Sequence, residues 1–322
     1  MAMALDGIHF LVTYRCTYTC DHCFVWSSPD AEETMTLAQL RDAIDQAAAS
    51  GQVEMVYFEG GEPTLAYPVV LEAAAYASAK GLEWGLVTNC YWATSVEDAR
   101  VWLRPLKGLG ISDLSLSSYA YFVGDADEAH LQNAVLAAQE LGLPLAVLEV
   151  GAPARLDVPG LCLGDVGEVM HKGRAAVELA PARAVRPPDT LVTCPFEDFA
   201  APGRAHLGPD GELQLCQGIS AGNVWRDGLA TIIEGYDPAA RPVVREILAG
   251  GPWALAQTCG HVPERELYAD ECHLCYETRA ALRERFPLVL APAQCYGPTP
   301  EADAGAADPS STSADGADDA PS

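Results

Sequence analysis

Positive charge is scarce in this chain. It carries 19 Lys and Arg against 45 Asp and Glu, a formal net charge of −26. So acidic a surface repels phosphate backbones and anionic lipid, so neither nucleic acid nor a membrane surface is an expected partner. Long apolar runs are missing as well. No stretch of 18 or more apolar residues occurs, and no helical membrane span is expected. Met1 to Gly7 has neither the length nor the basic residues of an export signal. The expected compartment is therefore the cytoplasm, where thiols stay reduced. Internal repeats are absent too.

Cysteine, by contrast, is abundant, with eleven in 322 residues. In a reducing compartment, tight Cys-x-x-Cys spacing points to metal or cluster ligation rather than disulfides. The length and the 49% hydrophobic content suffice for one large domain plus a small appendage.

Short apolar runs alternate with helical patterns through the first half. Strands are expected at 8–14, 53–58, 84–88, 111–117 and 145–150, with a sixth near 177–179. Helices are expected at 36–50, 68–80, 96–106 and 127–141, the first between Thr36 as N-cap and Gly51 as stop. Such alternation predicts an α/β fold with a parallel sheet, open or closed into a barrel, and chemistry at the C-terminal strand ends. After about residue 180, Pro, Gly and Cys become frequent and helical periodicity thins. This predicts a small second module over 181–297, held by something other than a large core. Residues 298–322 are small, polar and acidic, and read as a disordered tail.

Cys16, Cys20 and Cys23 lie in a Cys-x3-Cys-x2-Cys loop just after the first strand. Three thiolates so spaced can wrap three corners of a cubane and leave the fourth iron open. A zinc site completed by His22 is the competing reading of the same residues. Glu59-Gly60-Gly61-Glu62-Pro63 follows the second strand. Two glycines there admit a close backbone approach, and a carboxylate accepts from an ammonium group.

The loop Thr13-Tyr14-Arg15-Cys16-Thr17-Tyr18-Thr19-Cys20-Asp21-His22-Cys23-Phe24 resembles the signature loop of the radical S-adenosylmethionine superfamily. Gly60, Gly61 and Glu62 match the family's Gly-Gly-Glu, whereas Glu59 stands where many members carry Ser or Thr. The resemblance covers roughly residues 7–180. It implies a partial (β/α)6 TIM-like barrel over 1–180, with a 4Fe-4S cluster on Cys16, Cys20 and Cys23. The methionine amino group of S-adenosylmethionine would lie at Gly60, Gly61 and Glu62. Thr88, Asn89, Ser115 and Ser117 resemble the polar strand-end positions that contact the same cofactor, and Glu149 and Gly151 lie where the family often packs adenine. An external one-electron donor such as flavodoxin or ferredoxin is implied as partner.

Residues 194–279 look like the auxiliary-cluster modules, twitch or SPASM, that follow such barrels, and Lys172-Gly173-Arg174-Ala175 resembles the linker before them. Lacking SPASM's dense central cysteine run, the segment implies one extra 4Fe-4S cluster. The expected ligands are Cys194, Cys216, Cys272 and Cys275, with Cys259 and then Cys295 as competitors. A structural zinc on the same four cysteines is the alternative. Cys90 and Cys162 read as core or strand-end residues. No histidine is assigned a catalytic role, and His206 and His273 are expected near the second cluster. The function implied is reductive cleavage of S-adenosylmethionine to a 5'-deoxyadenosyl radical, for oxidation or modification of a small molecule or peptide. An iron–sulfur electron carrier or redox sensor without radical chemistry is the alternative, and a zinc-stapled binding module a third.

Overall fold

The structure is a computed structural model that describes residues 3–119, 121, 128–151 and 163–297. Cys162 and the segment 298–322 lie outside the described residues. Six strands, β1 (Gly7–Thr13), β2 (Met55–Gly60), β3 (Glu83–Thr88), β4 (Asp113–Ser117), β5 (Leu145–Val150) and β6 (Leu163–Gly167), pair in chain order, each parallel to the next. Helices α1 (Leu37–Ser50), α2 (Tyr67–Ala79), α3 (Val96–Gly108) and α4 (Glu128–Leu141) connect the first five.

Local chemistry explains where these elements start and stop. Thr36 caps α1 by accepting from Gln39 N, Gln39 reaches back to Thr36, and Gly51 ends the helix in the left-handed region at φ 69°. Ser95 caps α3 with Glu97 and Asp98 in its first turn and Lys107 in its last, which suits the helix dipole. The strands are apolar because both faces are covered. Phe10 and Phe58 pair across β1 and β2, and Phe58 meets Trp84 of β3.

The sixth strand falls at 163–167, and the segment expected as strand near 177–179 is the short helix α5 (Ala175–Glu178) and the residue after it. Three residues, Val177, Glu178 and Leu179, are too few to separate the two states by periodicity.

The sheet does not stop at residue 180. Strand β7 (Arg204–Leu207) pairs in parallel with β1, and β8 (Glu212–Cys216) and β9 (Ile219–Asn223) follow antiparallel, giving the order β6-β5-β4-β3-β2-β1-β7-β8-β9. The short helices α6 (Val224–Asp227) and α7 (Leu229–Glu234) precede α8 (Pro242–Cys259), which breaks at Gly250–Gly251, and α9 (Glu271–Leu282). The expectation of a C-terminal segment poor in helix and core is thus corrected. Leu207, Leu213, Ile219, Ile233, Val243 and Leu255 join the same buried cluster as Phe10 and Val56, because β7 carries the apolar face of the sheet onward. No helix among the described residues is long and apolar enough to cross a membrane.

Candidate active site

The C-terminal ends of β1 to β6 converge on one cavity of about 330 Å³. Cys16, Cys20 and Cys23 line it from the loop after β1, Gly60 and Gly61 from β2, Thr88 and Asn89 from β3, Ser117 and Ser118 from β4, Glu149 from β5, and Glu168, Val169, Met170 and Lys172 after β6. Its volume lies in the range of small-molecule sites, roughly 300–1,000 Å³. Val87, Leu148, Val150, Val169 and Met170 supply apolar wall between the polar groups.

The cysteine loop is tied down by backbone contacts. Cys16 N donates to Ser28 O at 3.0 Å and Cys23 N to Cys20 O at 3.1 Å. Two donors face the thiols: Asn89 Nδ2 stands 3.5 Å from Cys16 Sγ, and Ser27 N 3.2 Å from Cys23 Sγ. Burial pushes the Cys16 thiol up to about 12, and burial likewise raises Cys20. A soft cation is what would draw these thiols into the ionised form.

Gly61 is where β2 touches that loop. A Cβ there would meet Arg15 O at 2.1 Å, so only glycine permits this approach. Glu62 caps the helical turn that follows β2. It is fully buried and absent from the cavity wall, and its oxygens accept from Thr64 N (3.1 Å), Thr64 Oγ1 (2.6 Å), Thr88 Oγ1 (2.8 Å) and Asn89 N (2.8 Å). It works as a strut between the ends of β2 and β3, which sets Asn89 beside Cys16. Ser115 is also off the wall, because it sits one pleat repeat below Ser117 and donates to Asp113 Oδ1 at 2.7 Å.

Cys194, Cys216, Cys272 and Cys275 line a second cavity of about 20 Å³, together with Lys172, Glu197 and Arg279. Cys216 ends β8, and Cys272 and Cys275 lie one turn apart at the start of α9, whose cap Asp270 also accepts from His171 N at 3.1 Å. Burial pushes Cys275 up to about 11 and raises Cys194 and Cys272. Cys259 and Cys295 are outside this wall. Cys259 ends α8, and Cys295 Sγ lies 3.1 Å from Gln214 Oε1. Cys90 is buried with its Sγ 3.8 Å from Thr88 O.

A tetrahedral zinc with 2.3 Å bonds would hold its thiolates about 3.8 Å apart. Among the described residues, the one set of three or more His, Cys, Asp or Glu side chains whose ligand atoms all lie within 4.8 Å of one another is His9, Glu59 and His206. In neither cavity do three cysteine sulfurs all lie within 4.8 Å of one another. Thiols are soft donors that suit an iron–sulfur cluster as well as zinc.

Lys172, Gly173 and Arg174 link the two cavities, a role their sequence signal as a linker only hinted at. Lys172 is buried and lines both, with Nζ 3.6 Å from Cys216 Sγ and 3.7 Å from Glu197. Gly173 sits at φ 61° where a Cβ would strike Cys23 O at 2.5 Å. Arg174 reaches into the first loop and donates to Cys20 O (2.6 Å) and Ser27 O (2.8 Å), while its backbone N donates to Cys23 O (2.8 Å). His273 lies on α9 between Cys272 and Cys275 and packs on Tyr268, and His206 Nε2 lies 3.1 Å from Glu59 and 3.4 Å from Nε2 of Gln217, the residue after Cys216.

Residues 10–144 match the family model described as the Radical SAM superfamily. A protein of Bacillus subtilis (strain 168) named for peptide biosynthesis, YydG, is 24% identical over 119 residues, 37% of either chain. An S-adenosylmethionine-dependent nucleotide dehydratase of Selenomonas ruminantium is 32% identical over 82 residues, 26% of this chain and 29% of that one. This chain thus spans only about a third of the length of these curated relatives. Among solved structures, BtrN in complex with AdoMet and 2-DOIA is similar over 72% of this chain and 83% of its own, at 14% identity and a TM-score of 0.46. SuiB of Streptococcus suis bound to precursor peptide SuiA is similar over 91% and 76%, at 11% identity and a TM-score of 0.45.

Proposed function

We propose, from the radical SAM domain at residues 10–144, that this chain is an enzyme holding a 4Fe-4S cluster on Cys16, Cys20 and Cys23 with S-adenosylmethionine beside it. The observation that carries this reading is convergence. Three thiols, a Gly-Gly approach and polar strand ends share one cavity of about 330 Å³. When bound, cluster and cofactor supply a one-electron cleavage that yields methionine and a 5'-deoxyadenosyl radical, which takes a hydrogen atom from the substrate.

The chain's own residues prepare the place for it. Asn89 Nδ2 and Ser27 N face Cys16 and Cys23 and stabilise negative charge on sulfur. Arg174 holds the loop carbonyls so that the three thiols keep their spacing. Gly60 and Gly61 leave room for the methionine end, and Ser117, Ser118 and Glu149 offer polar partners to the sugar and base. The apolar wall at Val87, Leu148, Val169 and Met170 keeps water from a reactive carbon.

Cys194, Cys216, Cys272 and Cys275 are proposed to hold a second 4Fe-4S cluster within a twitch-like segment over 181–297, next to a barrel over 1–180. That cluster would take up the electron left by oxidation of the substrate radical. The substrate class is a small molecule or a peptide, and both occur among the names of the relatives. A flavodoxin or ferredoxin would supply the first electron, in the cytoplasm. A plain electron carrier needs no cavity of this size beside its cluster, so the carrier reading is not favoured.

The test is anaerobic incubation of the reconstituted chain with S-adenosylmethionine and dithionite. The expected products are 5'-deoxyadenosine and methionine. Their absence from protein fully loaded with iron and sulfide would overturn the proposal.

A further inference from the structure

Below the first cavity, three side chains from three neighbouring strands meet on one atom. Glu59 Oε1 lies 3.1 Å from His206 Nε2 and 3.5 Å from His9 Nδ1. The register places them there: His9 of β1 is the partner of His206 on β7, and Glu59 on β2 pairs with Leu11, the next residue of β1 on the same face as His9. Rigid strands, not loops, therefore hold the group. His9 is backed by Tyr57 at a centroid distance of 4.5 Å, and its ring lies 5.0 Å from that of His206.

Glu59 is 13% exposed, and its ion pairs among the described residues are with these two imidazoles alone. His9 Nδ1 and Glu59 Oε1 are buried, face each other, and make no hydrogen bond. An enclosed carboxylate oxygen and imidazole nitrogen that face each other without a hydrogen bond are atoms a cation between them would satisfy.

We propose that His9, Glu59 and His206 bind a single divalent metal ion of the zinc class, with a fourth coordination place open to the first cavity for an oxygen or nitrogen of the substrate. Two histidines and a glutamate with one open place are a donor set of catalytic zinc. Bonds of 2.0–2.2 Å give tetrahedral edges of about 3.4 Å, and two of the three edges here are 3.1 and 3.5 Å. All three ligand atoms already lie within 4.8 Å of one another. Glu59 lines the cavity wall beside Gly60, the side to which the open place is assigned. The site neither uses nor requires the cysteines.

Zinc binding to the full chain tests this. The protein is stripped with chelator, reconstituted anaerobically with iron and sulfide so that the cysteines are filled, titrated with zinc alone and desalted. Wild type is expected to retain about one zinc more than Glu59→Gln and His206→Gln, at equal iron and sulfide. Should either substitution lower the iron content, His9→Asn gives the same comparison. Cobalt(II) in place of zinc is expected to show visible ligand-field bands without thiolate-to-cobalt charge transfer. Equal zinc in wild type and variants, or sulfur charge transfer in the cobalt form, overturns the proposal. If iron and sulfide do not bind at all, the cluster proposal fails, while the zinc difference between wild type and variants still decides this one.

Discussion

The two cysteine sites are built on opposite plans. The first opens onto about 330 Å³ of space, whereas the second encloses about 20 Å³. Three cysteines serve the open site and four the closed one. Lys172 and Arg279 line the closed site with Glu197 and Glu271, while Lys172 lines the open one with Glu59, Glu149 and Glu168. The difference teaches what each can do. A site with room and an incomplete set of protein ligands can bind a further molecule. A site with neither has no place for one.

The largest effect expected from breaking this contrast comes from Cys16→Ala, Cys20→Ala and Cys23→Ala together. Cleavage of S-adenosylmethionine should vanish, and iron analysis should find about four irons left at the second site. Next is Arg174→Met, which removes two charged hydrogen bonds to carbonyls of the first loop. A loss of about 3 kcal/mol is expected, with iron lost from the open site and kept by the closed one. Denaturant titration and iron content check it.

A smaller effect should follow Lys172→Met. Removing a buried cation 3.6 Å from Cys216 Sγ disfavours the more negative, reduced state of the second centre. Its potential should fall, by about 60 mV if the cation is worth about 1.4 kcal/mol. Redox titration followed by electron paramagnetic resonance reads both centres, and equal shifts would break the contrast. The smallest effect belongs to Cys259→Ala. This thiol is outside both cavity walls, so iron content should not change and stability should stay within about 0.5 kcal/mol.

Much of this was legible in the chain. The alternation of apolar runs and helical patterns foretold five parallel strands, since periodicity is a local property that neighbours in sequence carry. The cysteines were legible by spacing: Cys16, Cys20 and Cys23 do line one cavity, and Cys194, Cys216, Cys272 and Cys275 another. Partners far along the chain were not legible: Glu62 accepts from Thr88 and Asn89, about 26 residues on, contacts that no local pattern records.

By itself, then, the sequence determined the local matter: most of the strand and helix order, where the thiols cluster along the chain, and a net charge of −26. Only the tertiary structure decided the rest. It set β7 against β1, merged the C-terminal segment into the main core, placed Lys172 between two cavities, and brought His9, Glu59 and His206 to one point. The physical reason is that parallel pairing joins strands far apart in the chain. His9 and His206 are register partners across nearly two hundred residues, and no local pattern records such a contact.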